Sequence, residues 1–90
     1  MSTTEQPALI TRAAVASQIA TYLDGALSEK ALAAWAFDRF YAEELGTEAY
    51  EPGAEDEVAD ALDALMFGDD PSFRLDQEEL RALIAQLRTV

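Results

Sequence analysis

The residues of this chain best suited to bind a partner or a ligand are acidic, and they lie close together beyond its midpoint. Asp56, Asp60 and Asp63 are spaced by four and three residues, which places their carboxylates in one row on a helix. Glu55 adds a carboxylate beside this row. Such a row can bind the Arg and Lys side chains of a partner, so these four residues form the candidate partner-binding site. Two other interpretations stay open: the solvated face of an amphipathic helix, and a metal site.

Catalytic chemistry finds little support in the sequence. The chain contains neither His nor Cys, which removes the commonest general base near neutral pH and every thiolate ligand or nucleophile. Two carboxylates could serve a hydrolase, but nothing selects a pair among the many acidic residues. The glycines lie singly at predicted helix boundaries, so there is no phosphate-binding loop. We therefore predict no catalytic residue, no cofactor site, no metal ligand and no enzyme activity.

A calcium loop is disfavoured in the acidic segment that begins at Asp69. Counting from that residue, two positions that require oxygen ligands hold Pro71 and Phe73, and the twelfth position holds Leu80 where the motif has Glu. The segment is better interpreted as a helix end followed by the N-cap of the next helix.

The net charge of the chain limits which kinds of molecule can be its binding partner. Eighteen acidic residues against six basic ones give a net charge of -12. Nucleic acids and anionic membranes are unsuitable partners, because binding them depends on Lys and Arg, whereas a basic protein surface is complementary. No run approaches the roughly 20 apolar residues of a membrane span, and the first residues do not resemble a secretory signal. We therefore expect a soluble, cytoplasmic protein.

The elements that must position the acidic residues are helices. Three times an apolar residue precedes a Thr, Ser or Asp, and a second apolar residue follows five positions after the first. This spacing is typical of an N-cap whose helix start is held by a pair of apolar side chains. The three helix starts are Ile10-Thr11 with Val15, Leu27-Ser28 with Leu32, and Leu75-Asp76 with Leu80.

The fold predicted from these signals is all-α. No segment alternates with period two over strand length, so no strand is predicted. A chain of 90 residues suits one small domain. We predict a flexible N-terminal lead-in over residues 1–9 and, over residues 10–90, a single helical domain in a compact antiparallel array. Its four helices are expected at Thr11–Asp24, Ser28–Leu45, Ala54–Phe67 and Asp76–Arg88.

Four aromatic residues, Trp35, Phe37, Phe40 and Tyr41, lie within two turns of the second helix. Core packing is the main interpretation, because aromatic side chains contribute much of a small core. They occupy more than one face, so this helix is expected to pack against neighbours on two sides. An exposed member, Phe37 or Tyr41, would instead anchor a protein partner. The other large core candidates are Leu62, Leu65, Leu83, Ile84 and Leu87.

Several motifs together resemble a known family. They are a Tyr-Leu-Asp-Gly helix end, a Ser-capped helix with Leu and Trp, an acidic helix and a closing capping box, within TRAAVASQIATYLDGALSEKALAAWAFDRFY and DDPSFRLDQEELRALIAQL. This layout, over most of residues 11 to 88, resembles the colicin-D-like, self-protective bacterial immunity proteins. The resemblance implies a helical bundle that inhibits a basic toxin nuclease stoichiometrically through an acidic surface. It assigns no site residue, so the candidate site rests on helical spacing alone.

Two functions follow as expectations from the sequence. The first is a small, acidic, non-catalytic protein-binding module of the immunity type, whose partner is a basic toxin nuclease. The alternative is a regulatory or adaptor protein that acts through homodimerisation or through another protein partner.

Overall fold

The computed structural model of the protein describes residues 8–68, 70–72 and 74–88, and within these residues the chain forms six short elements. The predicted helical fold is confirmed: the structure is a small, mostly α-helical domain, to which one pair of strands is added. In chain order the elements are β1 (Ala8–Ile10), α1 (Arg12–Leu23), α2 (Glu29–Leu45), β2 (Glu48–Tyr50), α3 (Glu55–Met66) and α4 (Gln77–Arg88).

The helices begin and end where local signals predict. The Thr11 and Ser28 side chains each accept a hydrogen bond from the backbone N–H three residues later, at 3.0 Å. Asp76 and Glu79 form a reciprocal capping box, in which each backbone N–H donates to the other carboxylate at 3.1 and 2.8 Å. Gly46 ends α2 with φ of 80°, a left-handed conformation in which glycine carries no side-chain penalty.

Antiparallel packing of the helices encloses one core. α1 packs mainly against α4, and α2 packs mainly against α3. Tyr22 at the end of α1 shares a pocket with Leu80 at the start of α4, and Met66 at the end of α3 shares a hollow with Lys30 at the start of α2. The buried apolar residues of this core are Ile10, Val15, Ala16, Ile19, Leu32, Ala36, Ala54, Val58, Ala61, Leu62, Leu65, Leu80 and Leu87.

The prediction that the chain forms no strand was wrong. β1 and β2 pair in parallel, with Ala8 opposite Glu48 and Ile10 opposite Tyr50. Ala8 and Leu9 therefore belong to the fold and not to a loose lead-in, and the rest of the predicted lead-in, residues 1–7, lies outside the described residues. Strands of three residues are too short to show period-two alternation, which is why the pattern missed them.

The outer face of α2 also differs from its prediction. Trp35 and Phe40 are partly buried and pack against the core, as expected. Phe37 and Tyr41 are instead 52% and 55% exposed, so the assignment of Phe37 to the core was wrong. α2 has α3 and β2 as its main neighbours, and the face that carries these two rings is open to solvent.

Candidate functional site

The predicted acidic residues lie on the solvent-facing side of α3. Asp56, Asp60 and Asp63, here called the acidic row, are all exposed and stand opposite Val58 and Leu62, which are fully buried. Because the buried side chains fix the rotation of α3 about its axis, the helical period aims the three carboxylates outward. The structure therefore brings these aspartates together on one surface, as their spacing predicts.

Glu55 is exposed as well, but unlike the three aspartates it has a hydrogen-bond partner among the described residues. Its Oε1 accepts a hydrogen bond from the backbone N–H of Gly53 at 3.0 Å. The carboxylate thus braces the turn ahead of α3, where φ of Gly53 is 87°. Glu55 contributes negative charge beside the acidic row, but one of its carboxylate oxygens is already hydrogen-bonded to the turn before α3.

The ion pairs of the protein lie away from the acidic row. Within the described residues, the three salt bridges are Arg12 with Glu51, Arg39 with Glu48, and Arg74 with Glu29. Each joins two different segments of the chain, so these arginines serve the fold. None of the three aspartates takes part in an ion pair in the described part of the chain. The row therefore presents three carboxylates that are not engaged in salt bridges with any described residue.

Among these three ion pairs, Arg12 with Glu51 is joined by the most hydrogen bonds. The Arg12 backbone N–H donates to Glu51 Oε1 at 2.9 Å, and its guanidinium donates to Oε2 at 2.8 and 3.2 Å. The side-chain hydrogen bonds, followed by the backbone one, lower the pKa of Glu51 below its usual value. The same contact raises the pKa of Arg12. Glu51 thereby caps α1 and ties it to the end of β2.

A groove between α3 and α4 lies next to the acidic row. Asp56, Glu57 and Asp60 form its acidic side, and Ala61 and Leu87, both buried, lie in its floor. The α3–α4 groove is completed by Leu83 and Gln86. It forms because α4 packs mainly on α1 and makes little contact with α3. Asp63 lies on the same ridge but does not line the groove.

A second exposed surface runs along the outer side of α2. Ala34, Phe37, Tyr41 and Leu45, here called the apolar seam, are all exposed, with Leu45 at 64%. The Phe37 and Tyr41 rings are stacked, with centroids 6.0 Å apart and planes 10° from parallel. Ala34 and Phe37 also line a hollow with Met66 of α3. Exposed aromatic residues grouped in this way are typical of protein-binding surfaces.

The C-terminal end of α2 is acidic. Glu43 and Glu44 lie in its last turn, which contains no basic residue. Carboxylates at this end oppose the helix dipole and are unfavourable there. Their effect reaches β2: burial raises the pKa of Tyr50 most, and the negative charges of Glu43 and Glu44 raise it further.

A pocket lined by Tyr22, Leu32 and Leu65 also contains Glu29, whose carboxylate is held by Arg74 at 3.0 Å. Among the described residues, no three Asp or Glu side chains converge as metal ligands would; Asp69, the first position of the calcium comparison, lies outside them. No described helix combines the length and apolar character needed to cross a membrane.

Comparison of the chain with protein-family models, with curated proteins and with solved structures found no significant match in any of the three.

Sequence reasoning found the acidic row but missed the extent of the apolar seam and the α3–α4 groove. For the seam a signal was present, since Phe37, Tyr41 and Leu45 recur every four residues. A helix with apolar residues on both sides does not reveal which side is buried. The groove depends on how α4 divides its contacts between α1 and α3, for which local sequence carries no signal.

Proposed function

We propose that this protein is a non-catalytic binding module for a basic protein, and that its partner is a toxin nuclease inhibited in the manner of an immunity protein. The observation that carries the proposal is the acidic row, whose three exposed carboxylates have no ion-pair partner within the described residues. The net charge of -12 acts in the same direction. The proposed site of action is the bacterial cytoplasm.

Binding on this proposal has two components. Long-range attraction between an acidic face and a basic cleft speeds encounter, because opposite potentials steer diffusion. The α3–α4 groove then supplies apolar contact through the half-buried Leu83 beside Asp56 and Asp60. A nuclease cleft binds phosphates with basic groups, so carboxylates placed there would occupy the substrate's position and block it.

Replacement of Asp56, Asp60 and Asp63 by Asn tests the acidic row. The partner is first captured from a lysate of the source organism with this protein as bait and released by rising salt. Its association rate with the triple variant should fall roughly tenfold at low salt, and the salt dependence of that rate should flatten. The measurement is association kinetics over a series of salt concentrations, with nuclease activity of the captured protein followed in parallel.

The matched control removes the same number of charges elsewhere. Asp24→Asn, Asp70→Asn and Glu78→Gln lie outside α3, and all three side chains are exposed. If only total charge matters, the two triple variants will slow association equally. Unchanged association of the α3 variant would exclude the acidic row as the binding site. If the captured basic protein has no nuclease activity, binding to a basic partner would still stand, but inhibition of a toxin nuclease would be excluded.

A second candidate function is that of a regulatory or adaptor protein acting through homodimerisation or another protein partner. The observation that favours it is the stacked, exposed pair of Phe37 and Tyr41. Salt separates the two candidates, because added salt weakens attraction to a basic partner but reduces repulsion between two acidic copies. An adjacent toxin gene in the source genome would favour the immunity function, and its absence would favour the adaptor.

A further inference from the structure

We infer that the apolar seam of α2 is a self-complementary surface that pairs with the seam of a second copy, with the two α2 helices antiparallel. The inference rests on the second candidate function and gives it a geometry. The acidic row plays no part in this contact, so the dimer would leave it available on each copy.

The spacing of the seam indicates that its occupant is a helix. Ala34, Phe37, Tyr41 and Leu45 are separated by three, four and four residues, which is close to the spacing of the residues that face a partner helix in a coiled coil. All four residues face away from the core, whose α2 members are Leu32 and Ala36.

The shape of the seam fits a second copy in one register. Stacking of Phe37 on Tyr41 makes a ridge, and small Ala34 lies in a hollow with Phe37 and Met66. In an antiparallel pair with its two-fold axis next to Phe37 and Asp38, Tyr41 of each copy faces Ala34 of the other. A large side chain then fills the hollow of the partner helix, as in interdigitated helix packing.

The charges at the two ends of α2 select the same register. Lys30, exposed at the N-terminal end, and Glu44, exposed in the last turn, are centred on Phe37, about half a residue from the axis set by Ala34 and Tyr41. Each Lys30 therefore approaches the Glu44 of the other copy. The acidic C-terminal turn, which lacks a basic residue of its own, gains one from the partner.

The size of the seam and the net charge set the strength of the pair. Three half-exposed large side chains expose a few hundred Å² of apolar surface, on the order of the largest patch of an ordinary monomer and below the roughly 800 Å² per partner of a standard interface. Two chains of charge -12 also repel one another. The dimer should therefore be weak and should strengthen when salt screens the repulsion.

Sedimentation equilibrium over a range of concentrations and salt tests the inference. The full chain should show reversible dimerisation that increases with salt, and Phe37→Ser and Tyr41→Ser should each weaken it roughly tenfold or more. These variants should still fold, because both side chains are exposed and Ser has a helix propensity close to that of Phe and Tyr. Leu9→Ser is the matched control, since Leu9 is 53% exposed on β1 and should leave the dimer unchanged.

A charge swap tests the antiparallel register. The Lys30→Glu and Glu44→Lys variants should each form a weaker homodimer than the parent. A mixture of the two variants should form a heterodimer that is more stable than either homodimer. Mixing Lys30→Glu with Glu78→Lys gives the same net charges but keeps only one of the two Lys30–Glu44 contacts, so its heterodimer should be weaker than that of the charge-swapped mixture. Asp38 lies on the rim of the hollow near the two-fold axis, so Asp38→Asn should strengthen association.

The possible outcomes separate this inference from the first proposed function. A strict monomer at every concentration and salt would overturn the dimer, even if capture of a basic protein persists. If Phe37→Ser and Leu9→Ser weaken dimerisation equally, the apolar seam would be excluded as the dimer interface. If the parent protein dimerises but captures no basic protein, only the first proposed function would be overturned. Seam variants that stay monomeric like the parent but lose another captured protein would assign the seam to that protein.

Discussion

At the scale of single residues, Glu51 connects more of the protein than its position in a turn suggests. Its backbone N–H donates to the Ile10 carbonyl at 3.0 Å, which continues the pairing of the two strands. Its carboxylate meanwhile accepts from both the backbone and the guanidinium of Arg12. One residue thus joins the sheet to the first turn of α1, with both of its polar groups in use.

The lowered pKa of Glu51 predicts how its contribution depends on pH. A carboxyl whose pKa is lower in the folded state stabilises the protein above the ordinary Glu pKa of about 4.3, and that stabilisation is lost as pH falls through the folded value. Glu51→Gln should therefore lower Tm near neutral pH, and the difference from the parent should vanish in strong acid.

Glu78→Gln is the control for this measurement, because it removes one negative charge from an exposed site on α4. Thermal unfolding of the three proteins over the acid range gives the comparison. A Tm difference for Glu51→Gln that persists unchanged at low pH would show that shape, and not the charge of Glu51, carries the contact.

At the scale of elements, side-chain caps mark where α1, α2 and α4 begin. Asp76 is the clearest case, since its side chain and that of Glu79 satisfy each other's backbone N–H groups. Leu75 ahead of the cap packs against the core, and Leu80 behind it is buried. The cap and its flanking pair hold the start of α4 on the domain.

Asp76→Ala should lower the free energy of unfolding by about 1 kcal/mol, because it leaves a helix-terminal N–H without its acceptor. Asp76→Asn keeps an acceptor oxygen and should lose much less. Glu78→Ala removes a charge from the same turn without touching the cap, which separates capping from relief of charge repulsion. Urea unfolding of the four proteins measures the differences; equal losses for Asp76→Ala and Glu78→Ala would contradict the role of the cap.

The accuracy of sequence reasoning follows from how local each signal is. The helix boundaries were predicted to within about a residue, because a cap and its helix are neighbours in the chain. The outward direction of the acidic row follows from helical period once Val58 and Leu62 are recognised as apolar. Both inferences use residues within a single turn or two.

The features that the sequence did not reveal depend on distant parts of the chain. β1 pairs with β2 across two intervening helices, and neither three-residue strand carries a pattern of its own. Phe37 and Tyr41 have the composition of core residues, and only the placement of α3 on the other side of α2 leaves them exposed. Which apolar side of a helix is buried is a property of its neighbours.

At the scale of the whole molecule, charge opposes folding. Eighteen acidic residues against six basic ones share a small surface, and the described ion pairs are partly exposed side-chain contacts of modest individual strength. Self-repulsion of the compact state should therefore exceed what these pairs restore.

Stability should consequently rise with added salt, since a Debye length of about 30 Å at roughly 0.01 M shrinks to about 8 Å near 0.15 M. Urea unfolding at low and moderate sodium chloride provides the measurement, because urea adds no ions. The Asp56, Asp60 and Asp63 to Asn variant should gain less from salt than the parent. A flat response in the parent would mean that its carboxylates are better dispersed than their number suggests.

The parallel strand pair has a consequence for the order in which the chain folds. Arg12 and Glu51 are 39 residues apart, and the segment between them contains both α1 and α2. Local helix formation is fast, whereas bringing together ends so far apart costs closure entropy that is repaid only once the ends meet. We expect the helices to form first and the two strands to pair last, after most of the core has assembled.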